Sequence, residues 1–175
     1  YFQHISYLNN YNEENGTDLV SAGNVHYEPF ALYAGKAKSL ADLKEGSEIA
    51  VPNDGTNEGR ALKLLEAEGL IKLDPEAGFL ATKLDIVENP KGLEIVDMAV
   101  INGNYAIDAG LNLSDAIAIE ADDSEAAEAY ANVVAVAKGN ESSDKIKALM
   151  KALCSDEVKA FMEETYGGAV INLMR

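Results

Sequence analysis

The stretch Pro52-Asn53-Asp54-Gly55-Thr56-Asn57-Glu58-Gly59-Arg60 lies between a short apolar run, Glu48–Val51, and a run in which leucines such as Leu62 and Leu65 recur at helical spacing. This order predicts a strand, a polar turn and a helix. The turn then directs backbone N–H groups and the positive end of the helix dipole towards one point. Arg60 in the first helical turn suits that point to a carboxylate or another small anion. The segment predicts a binding site and contains no nucleophile–base pair typical of an enzyme.

Composition restricts the class of protein. The 175 residues carry a net charge of −16, which argues against nucleic acid as a partner because phosphate binding needs clustered lysine and arginine. No run of ~18 apolar residues is present, so the sequence predicts no membrane-spanning helix. Cys154 is the only cysteine, which rules out a disulfide within the chain. Because the sequence opens on Tyr1-Phe2-Gln3-His4 without a methionine, we expect a processed or incomplete N-terminus.

The alternation of strand-like and helix-like runs predicts α/β architecture with mostly parallel sheets. Asn132–Ala137 is typical of a strand buried on both faces, and helices capped by Ser143 and Ser155 follow it. We expect these last elements to pack against the start of the chain. The predicted lobes are therefore a discontinuous lobe I, residues 1–36 and 130–175, and an inserted lobe II, residues 37–129.

Two segments of lobe II receive specific interpretations. Leu93–Val96 and Met98–Ile101 both have the composition of strands, and Asp97 alone is too short for a parallel crossover. They form either one long strand or two strands whose connecting segment is missing between 96 and 97, and we favour the missing segment. The acidic stretch Glu120–Glu128 has little to bury, so we expect a loop or the surface of a helix.

The chain offers few groups for catalysis. The two histidines, His4 and His26, have no metal-binding spacing, and neither a nucleophile elbow nor a phosphate-binding loop is present. We therefore predict no enzyme, no metal and no cofactor. Asp54 and Glu58 are more simply explained as charges that complement the helix dipole.

A binding site can be assembled more readily. Arg60 and Asn57 follow one strand, Asn102 and Asn104 follow another, and the carboxyl ends of parallel strands meet at one edge of a sheet. The N-terminal aromatic residues could enclose an apolar or thioether side chain. They are Tyr1, Phe2, His4 and Tyr7.

Several motifs, in this order along the chain, resemble those of the NlpA/MetQ family of methionine-binding lipoproteins, the extracytoplasmic substrate-binding proteins of ABC importers. They are Phe2-Gln3-His4, Val25-His26-Tyr27-Glu28-Pro29, the stretch from Pro52 to Leu62, Asp85-Ile86-Val87-Glu88-Asn89-Pro90, Ala99-Val100-Ile101-Asn102-Gly103-Asn104-Tyr105-Ala106 and Tyr130-Ala131-Asn132-Val133-Val134. The resemblance continues to Gly167-Gly168-Ala169-Val170-Ile171.

The resemblance implies a two-lobed periplasmic-binding-protein fold of type II-like organisation, with a methionine in the cleft between the lobes. It assigns the ligand carboxylate to Arg60 and the polar end of the amino acid to Asn57 and Asn102. It further implies that the four N-terminal aromatic residues line the thioether pocket, with Asn104 and Glu58 as additional contacts.

The same resemblance implies an ABC permease and ATPase complex as the partner. It also implies an extracytoplasmic location, with the membrane contacted only through a lipid anchor on an N-terminal segment absent here. Family members carry further residues before Phe2 and a connecting stretch between Val96 and Asp97.

Alternatives remain open at this point. The pocket could prefer D-methionine, a methionine-containing dipeptide or another small amino acid. An α/β enzyme acting on an amino-acid-like anion would need a base beside Arg60, and His4 is the only plausible candidate. A surface interaction protein that binds macromolecules is the third possibility.

Overall fold

The computed structural model describes residues 2–97, 106–107, 110–121 and 125–174. The chain divides into two compact units. Unit 1 comprises Tyr1–Pro29 and Ala121–Arg175, and unit 2 comprises Phe30–Glu120. In the described part of the chain, no helix is both long and apolar enough to cross a bilayer.

Unit 1 is built on a four-stranded sheet flanked by helices. Its strands and helices are β1 (Phe2–His4), α1 (Ile5–Asn15), β2 (Leu19–Tyr27), α3 (Glu125–Ala129), β9 (Asn132–Ala137), α4 (Asp144–Leu153), α5 (Asp156–Tyr166) and β10 (Ile171–Asn172). The strand order is β1-β9-β2-β10, and every pairing is antiparallel. Strands β1 and β2 run in the same direction and are joined through α1, but β9 lies between them.

Strand β9 buries side chains on both of its faces, as its sequence predicts. Val134 packs in a cluster with Val25 and Met162, whereas Val133 packs in a second cluster with Leu8. Successive side chains of a strand point to opposite faces, so these two clusters lie on the two sides of the sheet. One side is covered by α5 and the other by α1.

Unit 2 combines one parallel and two antiparallel strand pairs. Its strands and its α-helix are β3 (Ala31–Tyr33), β4 (Glu48–Val51), α2 (Asn57–Ala67), β5 (Lys72–Leu73), β6 (Ile86–Glu88), β7 (Glu94–Asp97) and β8 (Ala116–Ile119). Strands β4 and β7 are parallel, whereas β3 pairs with β8 and β5 with β6 in antiparallel fashion. Short 3-10 helices cover Leu40–Asp42, Pro75–Leu80, Lys83–Asp85 and Leu113–Asp115.

The core of unit 2 forms around α2. Leu62 and Leu65 are buried at helical spacing and belong to the same cluster as Ile49 and Val51 of β4. Strand β4 enters the turn at Val51, and α2 returns from it beginning at Asn57. The predicted strand–turn–helix order is confirmed, and the packing of α2 on β4 fixes the position of Arg60.

The expectation of mostly parallel sheets is not confirmed, because β4/β7 is the one parallel pair among the described strands. The boundaries of the units fall after Pro29 and Glu120, not after residues 36 and 129. Strand β3 pairs with β8 of unit 2, and α3 packs on α1 of unit 1, which explains both shifts.

The predicted strand Met98–Ile101 lies outside the described residues, so the missing segment between 96 and 97 stays a prediction.

Replacing Gly59 with alanine should destabilise unit 2. A Cβ at this position would overlap the carbonyl oxygen of Phe79 and would lie 3.0 Å from the amide nitrogen of Ala81. Both are backbone atoms that cannot move aside cheaply. We expect Gly59→Ala to lower the free energy of unfolding by about 1–3 kcal/mol in a urea titration.

Gly35→Ala is the matched control, since a Cβ there meets no atom within 4 Å. A Gly59→Ala protein as stable as this control would show that α2 and the Phe79–Ala81 segment are not in close contact.

Candidate functional site

Arg60 is the fourth residue of α2, and its side chain is almost fully buried. Its guanidinium carbon lies 4.6 Å from the centre of the Phe30 ring. Its side chain is 4% exposed and that of its ion-pair partner, Glu120, is 7% exposed. The predicted anion-binding cation is therefore a buried group of unit 2 that already contacts a carboxylate.

The contact between Arg60 and Glu120 uses one edge of the guanidinium. Nη2 donates to Oε2 of Glu120 at 2.6 Å, and Nε lies 3.2 Å from Oε1 and 3.1 Å from Oε2. Hydrogen bonds between charged groups are shorter and stronger than neutral ones, and the two N–H donors fix the plane of the guanidinium. Arg60 is thus held in one orientation.

Glu120 is itself fixed by the backbone of Phe30. The amide nitrogen of Phe30 donates to Oε2 of Glu120 at 3.1 Å, and the amide nitrogen of Glu120 donates to the Phe30 carbonyl at 2.8 Å. These two residues are the first and last of unit 2. Arg60 therefore contacts both ends of unit 2. Its charge pairs with Glu120, and its guanidinium stacks on the ring of Phe30.

The polar turn before α2 satisfies its own donors. The carboxylate of Asp54 accepts the backbone N–H of Asn57 at 3.1 Å, and its second oxygen accepts the side-chain amide of Asn57 at 3.1 Å. Asp54 lies two residues before the N-cap, Thr56; its carboxylate satisfies the first backbone N–H of the helix and complements the helix dipole. The helix N-terminus predicted to receive an anion thus already contacts a carboxylate of the chain.

Glu58 has a contact within unit 2. Its Oε1 accepts the backbone N–H of Lys83 at 3.0 Å, at the beginning of the 3-10 helix Lys83–Asp85. Glu58 thereby connects the first turn of α2 to the segment that precedes β6.

Two of the predicted aromatic residues, His4 and Tyr7, lie at the start of unit 1. His4 is the N-cap of α1, and its Nδ1 accepts the backbone N–H of Tyr7 at 3.0 Å. The His4 ring also packs edge-on against Tyr7 and against Tyr130, with centroids 6.1 and 5.3 Å apart. Nδ1 is engaged in this cap, so it is not available as the base that an enzyme would need.

Four predicted contacts cannot be placed. Tyr1, Asn102 and Asn104 lie outside the described residues, and for Phe2 the backbone position in β1 is described without its side chain. Their predicted roles stay predictions. Within the described residues, Arg60, Asn57 and Glu58 share the first turn of α2, and His4 and Tyr7 share the first turn of α1.

Two residues of this site were not predicted from the sequence. Glu120 was assigned to a solvent-exposed acidic stretch, but it is buried against Arg60. Phe30 has no sequence feature that predicts a role at the site. The sequence contains little that could identify Glu120 as a site residue. Glu120 directly follows the strand Ala116–Ile119, and nothing in the neighbouring residues distinguishes it from the acidic residues after it.

The fold matches that of solved substrate-binding proteins. A nutrient-binding protein from Burkholderia cenocepacia, solved bound to methionine, superposes with a TM-score of 0.89 at 41% identity over 98% of this chain and 77% of that one. A periplasmic substrate-binding protein of an ABC transporter from Coxiella burnetii gives 0.87 at 39% identity over 97% and 76%. The chain therefore has the periplasmic-binding-protein fold.

The family follows from the sequence comparison. The model of the NlpA lipoprotein family matches residues 1–174, and the chain belongs to that family. The methionine-binding lipoprotein MetQ of Bacillus subtilis is 44% identical over 98% of this chain and 68% of its own length. The family resemblance inferred from the motifs is confirmed.

Removing Arg60 should destabilise unit 2 even without ligand. Arg60→Ala would leave the buried carboxylate of Glu120 without its ion-pair partner. Breaking a buried ion pair by removing one partner costs about 3–5 kcal/mol, and we expect that loss in the free energy of unfolding measured by urea titration.

The control is Lys72→Ala, which removes an exposed ion pair with Glu88 whose side chains are 59% and 60% exposed. Exposed pairs contribute about 0–1 kcal/mol, so this variant should be nearly as stable as the parent. Equal losses in the two variants would contradict the buried pair.

Proposed function

We propose that this protein is an extracytoplasmic solute-binding protein that captures methionine and delivers it to an ABC importer. The observation that carries the proposal is the similarity to a solved protein bound to methionine, at 41% identity over 98% of the chain. The names of the relatives support the same class of ligand and the same class of transporter. The proposal involves no covalent chemistry.

Arg60 is the residue proposed to bind the methionine carboxylate. A guanidinium carries five N–H donors on more than one edge, so it can contact two carboxylates at once. Glu120 contacts the edge formed by Nε and Nη2. The ligand carboxylate is assigned to the same guanidinium, whose plane the Glu120 contact would orient.

The remaining contacts are proposed from the family resemblance. Asn57 and Asn102 are assigned to the polar end of the amino acid, with Asn104 and Glu58 as further contacts. The thioether side chain is assigned to Tyr1, Phe2, His4 and Tyr7, because aromatic rings and the methionine sulfur attract each other. The geometry of His4 and Tyr7 supports this assignment, since one face of α1 begins with two adjoining rings.

A lipid anchor on the outer side of the cell membrane is part of the same proposal. It is supported by the family, whose members are lipoproteins. The proposed partner is the permease and ATPase complex of an ABC transporter, which would receive the loaded protein.

Calorimetric titration tests the proposed ligand. L-methionine, D-methionine, a glycyl-methionine dipeptide and L-alanine should be compared under identical conditions. We expect saturable binding of at least one methionine stereoisomer and much weaker binding of alanine, which lacks the thioether. Absence of binding for both stereoisomers would refute the proposed function, and preference for the dipeptide would change the assigned ligand.

Arg60→Lys should weaken methionine binding by about tenfold to a hundredfold. Lysine keeps the positive charge but loses the planar donor pair, and it cannot contact Glu120 and a ligand carboxylate with the same geometry. The dissociation constant from calorimetry measures the effect. Lys72→Arg makes the reverse exchange at an exposed site of the same unit and should bind as the parent does. A change below about threefold in Arg60→Lys would assign the carboxylate to another residue.

A further inference from the structure

Eight consecutive residues of unit 2, from Leu80 to Val87, expose three large apolar side chains. Leu80 is 46% exposed, Leu84 is 89% exposed and Val87 is 56% exposed. A single exposed leucine is ordinary on a protein surface, but apolar side chains concentrated in one exposed segment mark an interaction surface. The 80–87 segment is therefore a candidate surface for a partner, separate from the buried site at Arg60.

The backbone around Leu84 is held in one conformation. The backbone N–H and the hydroxyl of Thr82 both donate to the carboxylate of Asp85, at 2.8 and 3.0 Å, and form a capping box around Leu84. The backbone N–H of Asp74 donates to the carbonyl of Asp85 at 2.8 Å. A partner that covers Leu84 therefore loses little affinity to the ordering of this segment.

The 80–87 segment is also in direct contact with the first turn of α2. Oε1 of Glu58 accepts the backbone N–H of Lys83 at 3.0 Å. A Cβ on Gly59 would overlap the carbonyl oxygen of Phe79, so the two backbones are packed together. A partner bound to the 80–87 segment would thus be joined through short contacts to the helical turn that carries Arg60.

Size and charge restrict the kind of partner. A stable interface buries about 800 Å² on each side, which is more than three side chains can supply, so the contact suits a partner that binds and leaves. The chain has a net charge of −16, and a second copy or an anionic lipid surface would be repelled. The partner that fits is a protein with an apolar recess in a neutral or basic face.

We propose that unit 2 docks on the ABC permease through the 80–87 segment, with Leu84 inserted into an apolar recess on the outer face of the permease. This inference rests on the proposed function, because it takes the permease as the partner. It goes further by assigning the docking to particular side chains. A transient contact is what delivery requires, since the protein must leave the permease after each cycle.

The test measures docking with Leu84→Ser and the protein's own permease and ATPase complex, reconstituted in nanodiscs. ATPase activity is recorded against the concentration of the methionine-loaded protein. We expect Leu84→Ser to need at least about tenfold more protein than the parent for half-maximal stimulation, because the apolar anchor is lost. Methionine affinity by calorimetry and the midpoint of urea unfolding should equal those of the parent, since the side chain is 89% exposed.

Two further variants are the controls. Leu149→Ser makes the same change at a 43% exposed position of α4 in unit 1 and should stimulate the ATPase as the parent does. Leu84→Met keeps an apolar side chain of similar size and should also retain docking.

Four results would overturn the inference, and each leaves methionine binding intact. The first is a half-maximal concentration for Leu84→Ser within about threefold of the parent value. The second is an equal loss in Leu149→Ser. The third is binding of the parent to nanodiscs that lack the complex, abolished by Leu84→Ser, which would assign the segment to lipid. The fourth is a dimer of the parent in sedimentation that Leu84→Ser abolishes, which would assign it to a second copy.

Failure of the proposed function is a different result. A parent protein that does not bind methionine would remove that function, and the docking inference with it.

Discussion

The contact between the Arg60 guanidinium and the Glu120 carboxylate is the interaction on which the rest of unit 2 depends. Glu120 ends the unit, Phe30 begins it, and Arg60 contacts both from the first turn of α2. Burying two charges is expensive, and the cost is offset here by the hydrogen bonds that Nη2 and Nε of Arg60 and the amide of Phe30 donate to the Glu120 carboxylate.

The helix α2 connects this pair to the fold. Its apolar residues pack on β4, its first backbone N–H donates to Asp54, and Glu58 connects it to the segment at Lys83. Gly59 permits close approach to the backbone around Phe79. Each of these contacts fixes the rotation and position of one helical turn, and the direction of the Arg60 side chain follows from them.

The sequence predicted local elements well because their signals are local. Strand β4, helix α2 and the helices after Ser143 and Ser155 follow from side-chain periodicity and from the residue types at their ends. Ser155 accepts the backbone N–H of Val158 at 3.3 Å, whereas Ser143 is the N-cap residue without a side-chain capping bond. Strand direction was predicted poorly, since the placement of β9 between β1 and β2 depends on contacts far apart along the chain. Glu120 was missed for the same reason: sixty positions separate it from Arg60, and only the fold brings the two charges together. The site role of Arg60 was predicted from the polar turn before it and from the family motif. Its ion-pair partner, Glu120, was not predicted.

The proposed function depends on one interaction, the binding of a methionine carboxylate by an Arg60 guanidinium that keeps its contact with Glu120. A crystal structure of the protein with bound methionine tests it most directly. We expect ligand carboxylate oxygens within about 3 Å of the terminal nitrogens of Arg60, with the contact to Glu120 retained. A bound methionine whose carboxylate contacts another residue, with Arg60 paired only to Glu120, would contradict it.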